Sequence, residues 1–221
     1  MQLIFDMDGP LCVSRQTIGD RMFGLLELAS KSHSLVLVTG STRGQAGGQL
    51  GAALSLFDVT YFESGNDGHR PVTNVEGITS ISSAFSRLSS WTGEQSGPQL
   101  DIRRGVLNLA ACGQNASPAL RQMYSEWEIR RGERYRIAEE LSEMYPICQF
   151  LIGGRVSIDV CVAGKEQIPD VRPDSMFFCD SLGRRGADTL LASRVGAAVY
   201  CPHPTHTARA LELILDRRPP S

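Results

Sequence analysis

Three short segments carry side chains whose types and spacing could do chemistry. Phe5-Asp6-Met7-Asp8-Gly9 sets two carboxylates two residues apart, Phe178-Cys179-Asp180 ends in a third, and Asp188 follows eight residues on. Thr39-Gly40-Ser41 adds a hydroxyl beside a glycine. Clustered carboxylates repel unless a proton or cation sits among them, and hard oxygen ligands suit magnesium. A carboxylate is also a poor nucleophile toward an anionic centre until a cation and hydrogen bonds neutralise the repulsion. Of the 22 basic residues only Lys31 and Lys165 are lysines. Any step that needs an ammonium group therefore has two candidates.

These segments must be positioned by the elements around them. Gln2–Phe5 is an apolar run ending at Asp6, Ser14–Ser30 has helical spacing, and Leu35–Thr39 is a second apolar run. Gly40–Gly44 opens a helical stretch through Leu54, and Phe57–Phe62 reads as a third strand. The tail repeats this grammar with strand Ser175–Cys179, helix Ala187–Arg194, strand Ala197–Cys201 and a final helix near His206–Asp216. Strands alternating with helices predict a parallel sheet covered on both faces, with ligands at the carboxyl ends of its strands. Asp6, Ser41 and Asp180 fall at such ends.

The middle of the chain differs. Ser/Thr-rich sequence without clear pattern runs to Pro98, followed by a hairpin at Leu100–Leu109 and helical spacing through Ser117–Met144. Two strands follow, Cys148–Ile152 and Val156–Val162. This predicts an α+β insert at 73–163 carried by a core of 1–72 and 164–221, with hinges near Pro71–Asn74 and Cys161–Lys165. Ser117-Pro118 reads as an N-cap followed by proline in the first turn, which puts Arg121 where free amides already favour an anion.

Composition excludes several classes. The 221 residues are 42% hydrophobic and 21% charged with a net charge of −2, so nothing draws the chain in bulk to nucleic acid or an anionic membrane. Apolar stretches fall well short of the ~20 residues of a bilayer crossing. Met1 runs at once into an apparent core strand, leaving no room for a signal peptide. The six cysteines occur without a C-x-x-C pair, as expected of reduced thiols in a cytoplasmic protein. Cys201-Pro202-His203-Pro204-Thr205-His206 reads as a proline-shaped loop rather than a zinc site.

These motifs together resemble the haloacid-dehalogenase superfamily, and within it the eukaryotic-type phosphomannomutases with their α+β cap. The resemblance implies a Rossmann-like α/β core with a parallel sheet, an inserted α+β cap, and magnesium held by Asp6, Asp8, Asp180 and Asp188. It makes Asp6 the nucleophile that becomes an aspartyl phosphate, Asp8 the general acid and base, and Ser41 the hydroxyl that holds the phosphoryl group. It carries sugar-phosphate binding to Arg15, Arg103 and Arg121, and hydroxyl binding to Ser157 and Asp159 in Gly153-Gly154-x-x-Ser157-x-Asp159. The partner implied is a small-molecule sugar phosphate, and a homodimer through the cap is compatible with it.

Four residues depart from the family pattern. Pro10 follows Asp8-Gly9 in place of threonine or valine, Gln114 stands for a third cap arginine, and Ala187 stands for an asparagine. Gln167 aligns with the family's lysine, which leaves Lys165, two residues early, as its substitute. Arg155 could restore the third guanidinium from a strand. Two enzymatic readings follow: a mutase interconverting hexose 1- and 6-phosphates, and a phosphatase for hexose or amino-sugar phosphates. A catalytically weak sugar-phosphate-binding protein is the reading from another class.

Overall fold

The computed structural model describes residues 1–67 and 77–216. It divides into two compact units, one comprising Met1–Gly65, Lys165–Leu182 and Asp188–Ser221, the other Asn66–Gly164 with Gly183–Ala187. The residues anticipated as a hinge at Pro71–Asn74 lie outside the described part of the chain.

The first unit is a doubly covered parallel sheet. Its strands are β1 (Gln2–Phe5), β2 (Ser34–Val38), β3 (Val59–Tyr61), β8 (Met176–Cys179) and β9 (Ala197–Tyr200), in spatial order β3-β2-β1-β8-β9. Every neighbouring pair is parallel. Because successive strand side chains face opposite ways, Leu3 and Phe5 join one apolar cluster with α1 (Asp20–Ser30), α2 (Arg43–Leu50) and α7 (Pro204–Asp216). Ile4 joins another, with Phe177 and Leu191 of α6 (Thr189–Ala192). This explains why these strands read as continuous apolar runs rather than alternating ones.

The second unit has an antiparallel sheet of β4 (Leu100–Ile102), β5 (Leu107–Ala110), β6 (Gln149–Gly153) and β7 (Ser157–Cys161), in order β4-β5-β7-β6. Leu107, Leu109, Ile158, Val160, Phe150 and Ile152 pack on one face with α3 (Ile78–Leu88), α4 (Pro118–Ile129) and α5 (Glu133–Met144). In register on the opposite face stand Asp101, Asn108 and Asp159, one from each of three adjoining strands. Asp101 is half-buried, while Asn108 and Asp159 are buried.

Four expectations change. Helix α1 starts at Asp20 rather than Ser14, because Arg15 takes a φ of 65° that no right-handed helix accommodates. Helix α3 lies in sequence expected to lack pattern; Ile78, Ile81, Phe85 and Leu88 have helical spacing, but serines dilute it. The long helical stretch after Ser117 is two helices, broken where Gly132 turns left-handed at φ 60°. Helix α6 keeps only Thr189–Ala192 of the expected Ala187–Arg194.

Candidate active site

Three strand ends of the core sheet meet on the central strand. The Asp6 amide donates to Phe178 O at 2.9 Å, carrying the β1 register into the residue after the strand. The chain then folds back, with Gly9 N donating to Cys12 O at 2.9 Å and Leu11 N to Met7 O at 3.0 Å. Gly9 has φ 101°, and a Cβ there would lie 2.6 Å from Asp180 Oδ2. Only glycine lets the loop turn this way and pass so close to the carboxylate.

Asp6, Asp180 and Asp188 each place a carboxylate oxygen within 4.8 Å of the others, the one such group among the described residues. Lys165 lies among them, fully buried, with Nζ 2.9 Å from Asp6 Oδ1 and 2.7 Å from Asp188 Oδ1. The lysine expected from sequence as a stand-in therefore reaches the same carboxylates. Asp188 is engaged on both oxygens, since Oδ2 accepts from the amides of Asp180 at 3.3 Å and Ser181 at 3.0 Å. Those bonds hold Asp180 where β8 ends.

Charge governs this cluster. Burial would strip the proton from Lys165, but Asp188 and Asp6 outweigh it and hold the ammonium well above its usual range. Burial pushes the Asp6 carboxyl well up, against the pull of Lys165 and with the repulsion of Asp188 and Asp180. Burial and Asp188 push Asp180 up to about 7. The raised Asp6 and Asp180 carboxyls mark crowded negative charge that Lys165 alone does not balance. With all three carboxylates ionised two negative charges would remain, which a divalent cation would neutralise, and the donors are all hard oxygens. The site fits such an ion.

Asp8 is not part of this group, contrary to the expectation of a fourth metal carboxylate. Its backbone pairs with Cys12 in the turn, and its Oδ2 accepts from Ser41 Oγ at 3.3 Å. In extended chain residues two apart would face the same way, but the chain leaves β1 after Phe5 and turns back on Met7, so Asp6 and Asp8 meet different partners. Oδ1 of Asp8 is buried with no hydrogen-bond partner among the described residues. Arg15 is exposed on the following loop, its amide held at 2.9 Å by Gln49 Oε1.

In the second unit the polar sheet face is a network. Asn108 Nδ2 donates to Asp159 Oδ1 at 2.6 Å, and Gln114 Nε2 donates to Asn108 Oδ1 at 2.9 Å and Asn108 O at 3.0 Å. Arg103 Nε pairs with Asp101 Oδ2 at 2.8 Å. Ser157 Oγ donates to Gly153 O at 2.9 Å. Ser117 caps α4 as anticipated, accepting from Leu120 N at 3.2 Å. From its first turns Arg121 donates to the carbonyls of Ala116 at 3.1 Å and Gln114 at 3.2 Å.

Arg155 departs from expectation. It lies not on a strand but in the turn between β6 and β7, where Gly154 at φ 45° reverses the chain, and it is exposed and donates to Gln122 at 3.0 Å. Strand alternation does not reach it. Asn108 and Asp101 were not anticipated as site residues. Their signal was polarity within an apolar strand pair, visible only once the register set them beside Asp159.

Residues 88–188 match the model of the eukaryotic phosphomannomutase family. A probable phosphomannomutase of Caenorhabditis elegans is 31% identical over 214 residues, covering 84% of each chain. A phosphomannomutase of Saccharomyces cerevisiae is 26% identical over 186 residues, covering 73% of this chain and 70% of that one. Among solved structures, the IMP-bound Plasmodium falciparum IMP-nucleotidase superposes at a TM-score of 0.70 with 13% identity, covering 97% of this chain and 68% of that one. The C-terminal domain of Candida albicans trehalose-6-phosphate phosphatase gives 0.61 with 12% identity, covering 97% and 91%. These two likenesses establish the fold alone, a parallel α/β core sheet with an inserted antiparallel unit. With nearly a third of its residues shared along most of both lengths, the chain belongs to the eukaryotic phosphomannomutase family.

Proposed function

We propose that the protein is a magnesium-dependent phosphotransferase acting on a phosphorylated sugar, interconverting hexose 1- and 6-phosphates through an aspartyl phosphate at Asp6. The observation that carries this reading is the set of buried Asp6, Asp188 and Lys165 with half-buried Asp180 at the end of the central strands. Asp6 and Asp180 would hold magnesium, with Asp188 fixing Asp180. When bound, the ion offsets the repulsion between the Asp6 carboxylate and the phosphate dianion.

The protein's own groups do the rest. An Asp6 oxygen attacks phosphorus as the bond to the sugar oxygen breaks, and Asp8 gives that oxygen a proton. Asp8 then takes a proton from the incoming hydroxyl as it attacks the aspartyl phosphate and frees the Asp6 carboxylate. Ser41, hydrogen-bonded to Asp8, and Lys165 steady the transferring group and the charge on Asp6. Arg15, Arg103 and Arg121 would bind phosphate, while Asp159, Ser157 and Asn108 bind hydroxyls and Gln114 orients Asn108.

The competing reading is a sugar-phosphate phosphatase, in which the acceptor is water. Cytoplasmic residence and a homodimer through the inserted unit belong to the proposal as well. The exposure of Met123 (59%) and Ile129 (74%) on α4 supports the latter. The test is a panel of hexose and amino-sugar phosphates with magnesium, scored for both isomer and released phosphate. Isomer as the main product, with acid-labile phosphoprotein, supports the mutase; phosphate alone overturns it in favour of the phosphatase. Neither product, and no phosphoprotein, overturns both.

A further inference from the structure

Lys165 makes two of the closest contacts in the site, yet it stands on a single 3-10 turn, Lys165–Gln167. The turn's closing bond is long, with Ile168 N 3.3 Å from Lys165 O. A turn this short has little rigidity of its own. An ammonium on a flexible four-carbon stem must nonetheless reach two carboxylates at once. Its placement has to be fixed from outside.

Two contacts do this. Ile168 is buried against Gly65, where a Cβ would stand 3.3 Å from Ile168 Cγ1. The other contact is Arg194, whose Nη1 donates to the carbonyls of Glu166 and Ile168, the latter at 3.0 Å. Arg194 also closes the end of α6, its own amide bonding to Leu191 O at 2.9 Å. Asp188, which immediately precedes α6, is the second carboxylate that Lys165 meets. One guanidinium thus ties the turn that carries Lys165 to the helix that follows Asp188.

We infer that Arg194 is a positioning residue that holds Lys165 on Asp6 and Asp188. A hydrogen bond from an ionised donor is roughly twice as strong as a neutral one. Two such bonds to alternate carbonyls of one turn fix both its height and its rotation. Arg194 acts only through the backbone of residues 166 and 168. The inference rests on the role given to Lys165 above, but its structural part can be tested without turnover.

The experiment exploits the scarcity of lysine, since Lys31 and Lys165 are the only two in the chain. Wild type, Arg194→Ala and Arg194→Gln are acetylated with an amine-reactive ester and Lys165 modification is followed by peptide mass spectrometry. The six buried cysteines report global opening in the same samples. Arg194→Ala should raise the Lys165 acetylation rate by about fivefold or more with the cysteines still protected, the signature of local rather than global unfolding. On a hexose 1-phosphate with magnesium, kcat should fall about tenfold with KM little changed, as expected when a reacting group is misplaced. Arg194→Gln, which adds no amine and keeps an N–H donor, should lie between.

A folded Arg194→Ala with unchanged Lys165 protection overturns the inference, and so does a loss confined to KM. If its cysteines react throughout, the protein has unfolded and Arg194→Gln decides by the same two measurements. Full phosphoryl transfer by Lys165→Ala would instead sink the catalytic reading of Lys165, whatever the labelling shows.

Discussion

Lys165 Nζ stands 2.7 Å from Asp188 Oδ1, and both side chains are shut away from solvent. Removing one partner of such a pair leaves a buried charge unmatched and typically costs about 3–5 kcal/mol. Lys165→Met should therefore lower the thermal midpoint in metal-free buffer. Added magnesium should restore part of it, because the excess negative charge is then greater than in the wild type. Calorimetry with and without the ion checks this, and an unchanged midpoint would contradict the ion pair.

Asp6→Asn should abolish phosphoprotein formation while the fold survives, since it removes the nucleophile and keeps its size. Asp8→Asn should still accept a phosphoryl group from an activated donor but lose about 10²–10⁴-fold in turnover of a sugar phosphate. A Bronsted-insensitive response to leaving-group acidity in Asp8→Asn would argue against its role as the acid.

Chelation should remove activity, and magnesium should raise the thermal midpoint of the wild type. Asp180→Asn should lose that shift, because it deletes one of the carboxylates grouped within 4.8 Å. A midpoint indifferent to magnesium in both proteins would mean that the cluster takes no ion.

Gly153 has no room for a side chain, since a Cβ would lie 2.5 Å from Asp159 Oδ2. Gly153→Ala must push that carboxylate off Asn108, so KM for the sugar phosphate should rise by about tenfold with kcat nearly kept. Steady-state kinetics with a folded variant decides it; an unaltered KM would remove Asp159 from substrate binding.

Burial pushes the Cys12 thiol up to about 12, helped by Asp8 and Asp6, so at pH 8 only about 10⁻⁴ of it is thiolate. Alkylation of the native protein at that pH should spare Cys12 and proceed in denaturant. Rapid native modification of Cys12 would show that the loop after Asp8 opens.

The sequence by itself determined the strand ends. Apolar runs of the core period stop at Asp6, Thr39 and Cys179, and in a parallel sheet those stops share one edge, so the acidic cluster was legible from local pattern alone. The paired strands of the insert and the Ser117 cap were equally local. Tertiary structure decided what depends on distant partners. The Asp8 carboxylate accepts from Ser41 and stands outside the Asp6, Asp180 and Asp188 group, because the chain turns back on Met7 directly after it. Arg155 proved to lie in a turn, because Gly154 took a left-handed φ that the spacing did not require. Lys165 reached Asp6 from 159 positions away in the chain, on a turn held by Arg194 from a third segment. Periodicity reports which way a side chain faces within its own element; which charge it meets is set by how separate elements pack.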